Sequence, residues 1–169
     1  MEKNPKIKLV FSPLDNALEV TSTIFLVVMW VLTLYTFLKL PPIIPIHFNA
    51  SGHADNYGNK LTILILPILA TVIYFALTQL SKYPHILNYM TKITEANAQK
   101  QYTTATRMLR FLKLTILLIF SLIILFTYLT TKAVTDGLGF WFLPLTFGLL
   151  LAPIVITISQ SLKKKNNGD

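Results

Sequence analysis

The sequence LPPIIPIHFNASGHADNYGNK, residues 40–60, is a polar segment between two long apolar runs, and this contrast decides the fold. It contains three prolines, two glycines and two of the chain's three histidines. Proline fixes the backbone angle φ, whereas glycine permits values of φ that other residues avoid. The composition therefore predicts a loop built to one shape, which a plain connection between helices does not require.

Four apolar runs without charged residues predict four transmembrane helices. They cover residues 20–38, 61–80, 114–131 and 140–162. Each has roughly the 18 residues that cross a hydrocarbon core about 30 Å thick. The chain of 169 residues is 53% hydrophobic and 13% charged, whereas about 25% of a typical soluble domain is charged. The predicted fold class is all-α: residues 1–169 form a single polytopic membrane domain with four transmembrane helices, and the long third helix extends into the cytoplasm.

The basic residues predict how the chain is oriented. With the N-terminus inside, three basic residues face outward: Lys39, Lys60 and Lys132. The other twelve face inward: Lys3, Lys6, Lys8, Lys82, Lys92, Lys100, Arg107, Arg110, Lys113, Lys163, Lys164 and Lys165. Because basic residues accumulate on the cytoplasmic side, we expect both termini inside and residues 40–60 outside. The net charge of +8 then reflects the orientation of the chain in the membrane. The predicted partner is therefore the lipid bilayer, and no nucleic-acid partner is predicted.

Helix boundaries follow from capping signals and prolines. Ser12, Pro13 and Asp15 form a capping-box pattern that starts the first helix, and Pro41 and Pro42 end it. The second helix runs from about Lys60 to Lys82.

The third helix is predicted to be one unbroken element. Thr94 is the expected N-cap of a helix over residues 95–131, and Arg107, Arg110 and Lys113 are expected to reach lipid phosphates. Residues 136–139 predict a tight turn. Prolines interrupt two of the four helices, and kinks are predicted at Pro67 and Pro153.

The loop is the first candidate site. His47, Asn49, Asp55 and His53 could coordinate a metal, bind a polar ligand or transfer a proton. Their spacing matches no established zinc pattern, so no metal site is predicted. Alternatively, His47 and Asp55 bond the loop backbone or each other, and Lys60 pairs with Asp55 or caps the outer membrane edge.

A second candidate cluster lies on the cytoplasmic side and could dock a soluble protein partner. Its members are Asn88, Tyr89, Glu95, Asn97, Gln101 and Tyr102. The alternative is that these residues cap and solvate a helix, with Glu95 and Asn97 in the first turn and Tyr102 at the membrane interface.

Several activities are disfavoured by what the sequence lacks. The apolar runs carry no ionisable side chain, which argues against a proton-coupled transporter. No serine-protease constellation, phosphate loop or nucleotide fingerprint is present. The chain has no cysteine, which excludes disulfides and thiolate metal sites. An enzyme is therefore not the favoured interpretation, and no cofactor is predicted.

The loop resembles a bacterial membrane domain of unknown function that forms the N-terminal part of SdpI-type immunity and signalling proteins. The residues that carry this resemblance, and that form the predicted ligand-binding set, are Pro45, His47, Asn49, Gly52, Asp55, Tyr57, Gly58 and Lys60. A second matching stretch runs from Asn88 to Leu114. The resemblance implies a multi-pass protein of the bacterial plasma membrane.

Two departures from that family limit what the resemblance implies. His53 occupies a variable position, and we expect the chain to lack the additional C-terminal domain of full SdpI-type proteins. Immunity and repressor sequestration therefore do not carry over automatically.

Four functions compete. The favoured one is a binding or signalling protein whose outer loop recognises a peptide or envelope ligand. The alternatives are a small transporter or permease component working as a homodimer, a membrane hydrolase using His47 and Asp55 with a metal, and a structural membrane subunit.

Overall fold

A computed structural model describes residues 4–166, with side chains from residue 4 to residue 159. Lys3 lies outside the described residues, as do the side chains of Lys163, Lys164 and Lys165. The elements are α1 (Pro13–Lys39), β1 (Ile43–Phe48), β2 (Ala54–Asn59), a 3₁₀ turn (Lys60–Leu64), α2 (Ile65–Lys82), a second 3₁₀ turn (Pro84–Ile86), α3 (Glu95–Thr131) and α4 (Phe142–Asn166). Four helices are long and apolar enough to cross a membrane, which confirms the predicted all-α membrane fold.

The capping predictions for α1 and α3 are confirmed. The backbone N–H of Asp15 donates to Ser12 Oγ at 3.3 Å, and the N–H of Ser12 donates to the Asp15 carboxylate at 2.9 Å. At the start of α3, the N–H of Thr94 donates to Asn97 Oδ1 at 3.0 Å. The 37 residues of α3 form one helix because no glycine or proline interrupts them.

The two prolines within the predicted helices have different positions. Pro67 is the third residue of α2, directly after the 3₁₀ turn. A proline in the first turn removes no intrahelical hydrogen bond, so the kink predicted at Pro67 is not required. Pro153 lies inside α4, as the sequence predicts.

Residues 43–59 form an antiparallel hairpin, which the sequence analysis did not predict. Pro45 lies opposite Tyr57 and His47 lies opposite Asn56, with register irregularities on both sides of His47. A two-stranded ribbon tolerates Pro45 because the missing N–H can face away from the partner strand. The polar connection is therefore a small folded element joined to the helices.

α3 is the central helix of the bundle. Its Leu117 and Ile124 belong to the main apolar cluster with residues of α1, α2 and β1. Its Ile119 packs with Leu138 and Phe142 at the end of the bundle near the hairpin, here called the hairpin end. At the opposite end, here called the N-terminal end, its Tyr102 packs with Ile93 and Ala98. α1 and α3 both begin at the N-terminal end, so they run parallel.

Candidate functional site

The tip of the hairpin is closed by Asn49. Its side-chain Oδ1 accepts hydrogen bonds from the backbone N–H groups of Ser51 at 3.0 Å and His53 at 3.1 Å. An asparagine that bonds its own downstream backbone in this way stabilises a tight turn. Asn49 therefore shapes the hairpin through contacts with the backbone of its own loop.

The hairpin tip is fixed to the turn between α3 and α4. Gly52 has a φ of +81°, and a Cβ atom at this position would lie 2.5 Å from the backbone of Gly139. The N–H of Leu138 donates to the Gly52 carbonyl at 2.7 Å, and His53 forms an isolated bridge with Gly137. Only glycine permits this approach of two backbones, which explains Gly52 in the predicted set.

The base of the hairpin is fixed by Lys60, which caps α1. Its Nζ donates to the carbonyls of Phe37 and Leu40 at 3.3 Å each and lies 4.7 Å from the centroid of the Phe37 ring. The last carbonyls of a helix lack intrahelical donors and carry partial negative charge. The structure thus gives Lys60 a helix-capping role, and among the described residues the alternative pairing with Asp55 is not formed.

Three further members of the predicted set lie along the strands. A Cβ at Gly58 would lie 2.8 Å from Ile46 Cδ1, so a larger residue here would displace the end of the Ile46 side chain. Pro45 is buried in β1, whereas the opposing Tyr57 is 59% exposed. Gly58 and Pro45 therefore support the hairpin, and Tyr57 remains accessible.

His47 and Asp55 form the exposed polar pair of the hairpin. His47 Nδ1 and Asp55 Oδ1 are 2.5 Å apart, and the two side chains are 65% and 40% exposed. Because the carboxylate engages one ring nitrogen, it fixes the orientation of the imidazole. Among the described residues, no three histidine, aspartate or glutamate side chains are grouped to hold a metal ion.

A cavity of about 720 Å³ lies beside this pair, between the hairpin, the start of α2, α3 and the start of α4. His47 and Asn49 are among its polar lining residues. Its apolar lining includes Ile44, Phe48, Ile63, Leu66, Ile123, Leu138, Phe142 and Leu143. The cavity therefore offers an apolar volume with a fixed imidazole beside it.

The predicted cytoplasmic cluster has mainly structural contacts. Tyr102 is fully buried, and its hydroxyl donates to the Pro5 carbonyl at 2.8 Å, so its prediction as an interface aromatic is wrong. Tyr89 stacks on Tyr102 with centroids 5.5 Å apart and donates to the Pro84 carbonyl at 2.9 Å. Burial raises the pKa of Tyr89, which keeps its hydroxyl protonated as a donor.

The remaining members of that cluster surround the start of α3. Asn97 donates to the Lys92 carbonyl at 3.0 Å in addition to capping the helix. Asn88 and Glu95 are exposed and line a cavity of about 560 Å³, and Gln101 is half-buried. Asn88 and Glu95 are thus the exposed members of the predicted docking surface, whereas Tyr89, Asn97 and Gln101 are half-buried.

A buried cluster of charged residues at the N-terminal end was missed by the sequence analysis. We call it the charge cluster; its members are Asp15 and Glu19 of α1 and Arg107, Arg110 and Lys113 of α3. Asp15, Arg110 and Lys113 are each exposed by 2% or less. The prediction that Arg110 and Lys113 reach lipid phosphates is therefore wrong.

The charge cluster joins α1 to α3 through hydrogen-bonded ion pairs. Arg107 binds both carboxylate oxygens of Asp15, at 2.9 and 3.2 Å. Glu19 accepts from Arg110 Nε at 3.0 Å and from Lys113 Nζ at 2.5 Å. Burial of these charges is compensated because each has an opposite charge and a hydrogen-bond partner.

A sequence signal for this cluster does exist. Asp15 and Glu19 are four residues apart, and the three basic residues recur at intervals of three on α3. Each set therefore shares one helix face. The predicted topology makes the two helices parallel, so the acidic face of α1 and the basic face of α3 lie at the same depth in the bundle. The pairing of these two faces could therefore have been predicted from the sequence.

Comparisons with known proteins give a family match over part of the chain and no assigned activity. Residues 24–71 match the family model described as "Domain of unknown function (DUF1648)", which spans the second half of α1, the hairpin and the start of α2. An uncharacterized protein of Archaeoglobus fulgidus is 31% identical over 88 residues, covering 46% of this chain and 48% of the relative. The aligned part of the chain therefore spans about half the length of that relative. No solved structure matches the chain.

Proposed function

We propose that the chain is a plasma-membrane binding or signalling protein of SdpI-like type, whose outward-facing hairpin recognises an apolar peptide. The observation that carries this proposal is the exposed His47–Asp55 pair beside an apolar cavity of about 720 Å³. Ligand sites commonly combine an apolar volume with a few oriented polar groups.

The hairpin is held rigid at both ends, which suits it to recognition. Gly52 fixes the tip to Gly139, and Lys60 fixes the base to α1. A site held by a rigid scaffold loses less conformational entropy when a ligand binds. An apolar peptide side chain would enter the cavity, while a backbone amide of the same peptide would bond the imidazole of His47.

The outward orientation is part of the proposal and is supported by the distribution of basic residues. On that orientation, a peptide that acts on the membrane from outside reaches the hairpin before it reaches the helices. The resemblance of residues 40–60 to SdpI-type immunity and signalling proteins supports a binding role for the hairpin.

The test measures survival of bacterial cells that produce the chain during exposure to a panel of synthetic apolar membrane-active peptides. We expect the wild-type chain to protect against at least one peptide, and His47→Ala and Asp55→Asn to remove the protection. Lys39→Gln is the matched control, because Lys39 is an exposed charge outside the hairpin at the same end.

Two outcomes would contradict the proposal. One is protection by both variants that equals the wild type at equal abundance in the membrane. The other is a fluorescent derivative of the protective peptide that binds the purified wild-type and His47→Ala proteins with the same affinity.

A small transporter is the second candidate function, because the charge cluster places ionised groups between helices. Ionised groups inside the membrane mark many ion and proton pathways, and this cluster adjoins the charge-free runs of α1 and α3. Purified protein in vesicles should then carry protons or small ions, and Glu19→Gln should abolish the flux. The absence of flux across a broad panel of ions would remove this candidate.

A further inference from the structure

A groove between α3 and α4 has the chemistry of a lipid site, and it lies apart from the hairpin. Its volume is about 360 Å³. Apolar and small side chains from both helices line it: Met108, Phe111, Leu149, Ala152, Pro153 and Ile156. Arg107 also lines the groove and is the charged group there.

Arg107 retains donors that the charge cluster does not use. Its Nε and Nη2 bond Asp15 and Ser12. In the part of the chain that the structure describes, no hydrogen bond of Nη1 is formed, so two of the five guanidinium N–H groups have no acceptor. The side chain is 32% exposed, which leaves these donors accessible to an anion.

The charge cluster also has an unmatched positive charge. Three cations face two carboxylates within it. Arg110 and Lys113 are 2% exposed, so Arg107 is the member through which this positive charge reaches the surface. The groove thus offers one cationic donor group to a negatively charged partner.

The position of Arg107 along α3 matches the level of lipid headgroups. It precedes the charge-free run of α3, which begins at Leu114, by seven residues, or about 10 Å along the helix. Thr115 and Leu149, at the other end of the groove, lie within apolar runs. An amphiphile with its anionic group at Arg107 would therefore lay a hydrocarbon chain along the groove.

We propose that this groove binds an anionic phospholipid, with Arg107 Nη1 donating to the phosphate and an acyl chain lying between α3 and α4. The weak burial of α4 is consistent with such a lipid, since 6% of its apolar window is buried compared with 33% in α3. The bound lipid would fill the side of α3 that α4 leaves open and would supply the missing negative charge.

The test is native mass spectrometry of the purified protein with equal amounts of phosphatidylglycerol and phosphatidylcholine of identical acyl chains. We expect the protein to retain phosphatidylglycerol over phosphatidylcholine by about fivefold, the effect of one basic residue on an anionic lipid. Arg107→Leu should remove this preference. Lys100→Gln should keep it, because Lys100 is an exposed cation of the same helix outside the groove.

A second variant tests the groove without touching the charge cluster. Ala152→Phe fills the groove with a side chain and should lower the binding of both lipids. This variant keeps the proposal testable if Arg107→Leu fails to fold.

Four results would overturn the proposal. The wild-type protein shows no preference between the two lipids. Lys100→Gln lowers the preference as much as Arg107→Leu does. Inorganic phosphate displaces phosphatidylglycerol, which would indicate a site for a free anion. Ala152→Phe converts a dimer to a monomer without changing lipid binding, which would make the groove an interface between copies.

Discussion

The two ends of the bundle differ in how their polar residues are placed: they are exposed at the hairpin end and buried at the N-terminal end. At the hairpin end, His47 and Asp55 are close in sequence and exposed, at 65% and 40%. At the N-terminal end, Arg107 binds Asp15 across 92 residues of sequence, and the carboxylate is 1% exposed. The comparison teaches that the unusual composition of the hairpin marks its shape, whereas ordinary charges at helix ends form the buried contacts between helices.

The largest expected effect is a difference in labelling by a membrane-impermeant reagent. In intact cells the hairpin end should be labelled and the N-terminal end should not. The chain has no cysteine, so a single introduced cysteine reports its own position. Ala50→Cys at the hairpin tip should react with a membrane-impermeant maleimide in intact cells. Asn88→Cys should react only after permeabilisation if the proposed orientation, which is based on the positive-inside bias, is right. Labelling of both cysteines in intact cells would place the two ends of the bundle on the same side of the membrane, which would contradict the expected difference.

The second effect is the cost of opening the charge cluster. Glu19→Ala removes the carboxylate that binds Lys113 and leaves Arg110 with the longer contact to Asp15, at 3.7 Å. Removal of one partner from a buried ion pair costs about 3–5 kcal/mol. Glu19 is 29% exposed, so we expect about 3 kcal/mol, at the low end of this range. The measurement is the free energy of unfolding in micelles titrated with sodium dodecyl sulfate.

The exposed Lys100→Gln is the control for Glu19→Ala. Unfolding of both variants at the same denaturant fraction would show that the buried ion pairs do not stabilise the bundle.

A smaller loss is expected when the hairpin tip is separated from the turn between α3 and α4. Gly52→Ala places a Cβ 2.5 Å from the Gly139 backbone at a φ of +81°, which costs about 1–3 kcal/mol. Hydrogen exchange at the Leu138 amide should accelerate, because this amide donates to the Gly52 carbonyl.

Gly148→Ala is the matched control for Gly52→Ala, since a Cβ at Gly148 meets nothing within 4 Å. In a helix this change should stabilise by up to about 1 kcal/mol. If exchange at Leu138 is equal in the two variants, the hairpin is not fixed by this contact.

The smallest effect on stability is expected at the exposed pair. Asp55→Asn and His47→Ala should each change the free energy of unfolding by less than about 1 kcal/mol, because exposed ion pairs contribute little. The same denaturation assay measures this change. A loss of unfolding free energy as large as that of Glu19→Ala would mean that the His47–Asp55 pair stabilises the fold. The exposed pair and the buried charge cluster would then not differ in their contribution to stability.

The helices follow from the sequence because hydropathy, capping and proline act locally. Ser12 and Thr94 start their helices as predicted, and α3 spans residues 95–131 as predicted. The hairpin was missed because its strands have six residues each and contain proline, glycine and asparagine, so the residues do not form a strand pattern.

The candidate site follows from the sequence only in its location. Composition selected Gly52 and Gly58 as members of the predicted set, and the structure gives both of them close contacts. Their contacts with Gly139 and Ile46 were not predicted, because the first joins segments that are distant in the chain and the second depends on strand register. The pairing of Asp15 with Arg107 was missed for the first of these reasons.

The contact between Gly52 at the hairpin tip and the turn at Gly139 has a consequence for biogenesis. The hairpin lies near the beginning of the chain, but the surface that receives its tip is made only after α3 has been synthesised. During insertion, the hairpin therefore stays undocked at least until the turn after α3 has been synthesised. Closure of this contact is thus a late step of assembly, and it joins the two halves of the nascent protein.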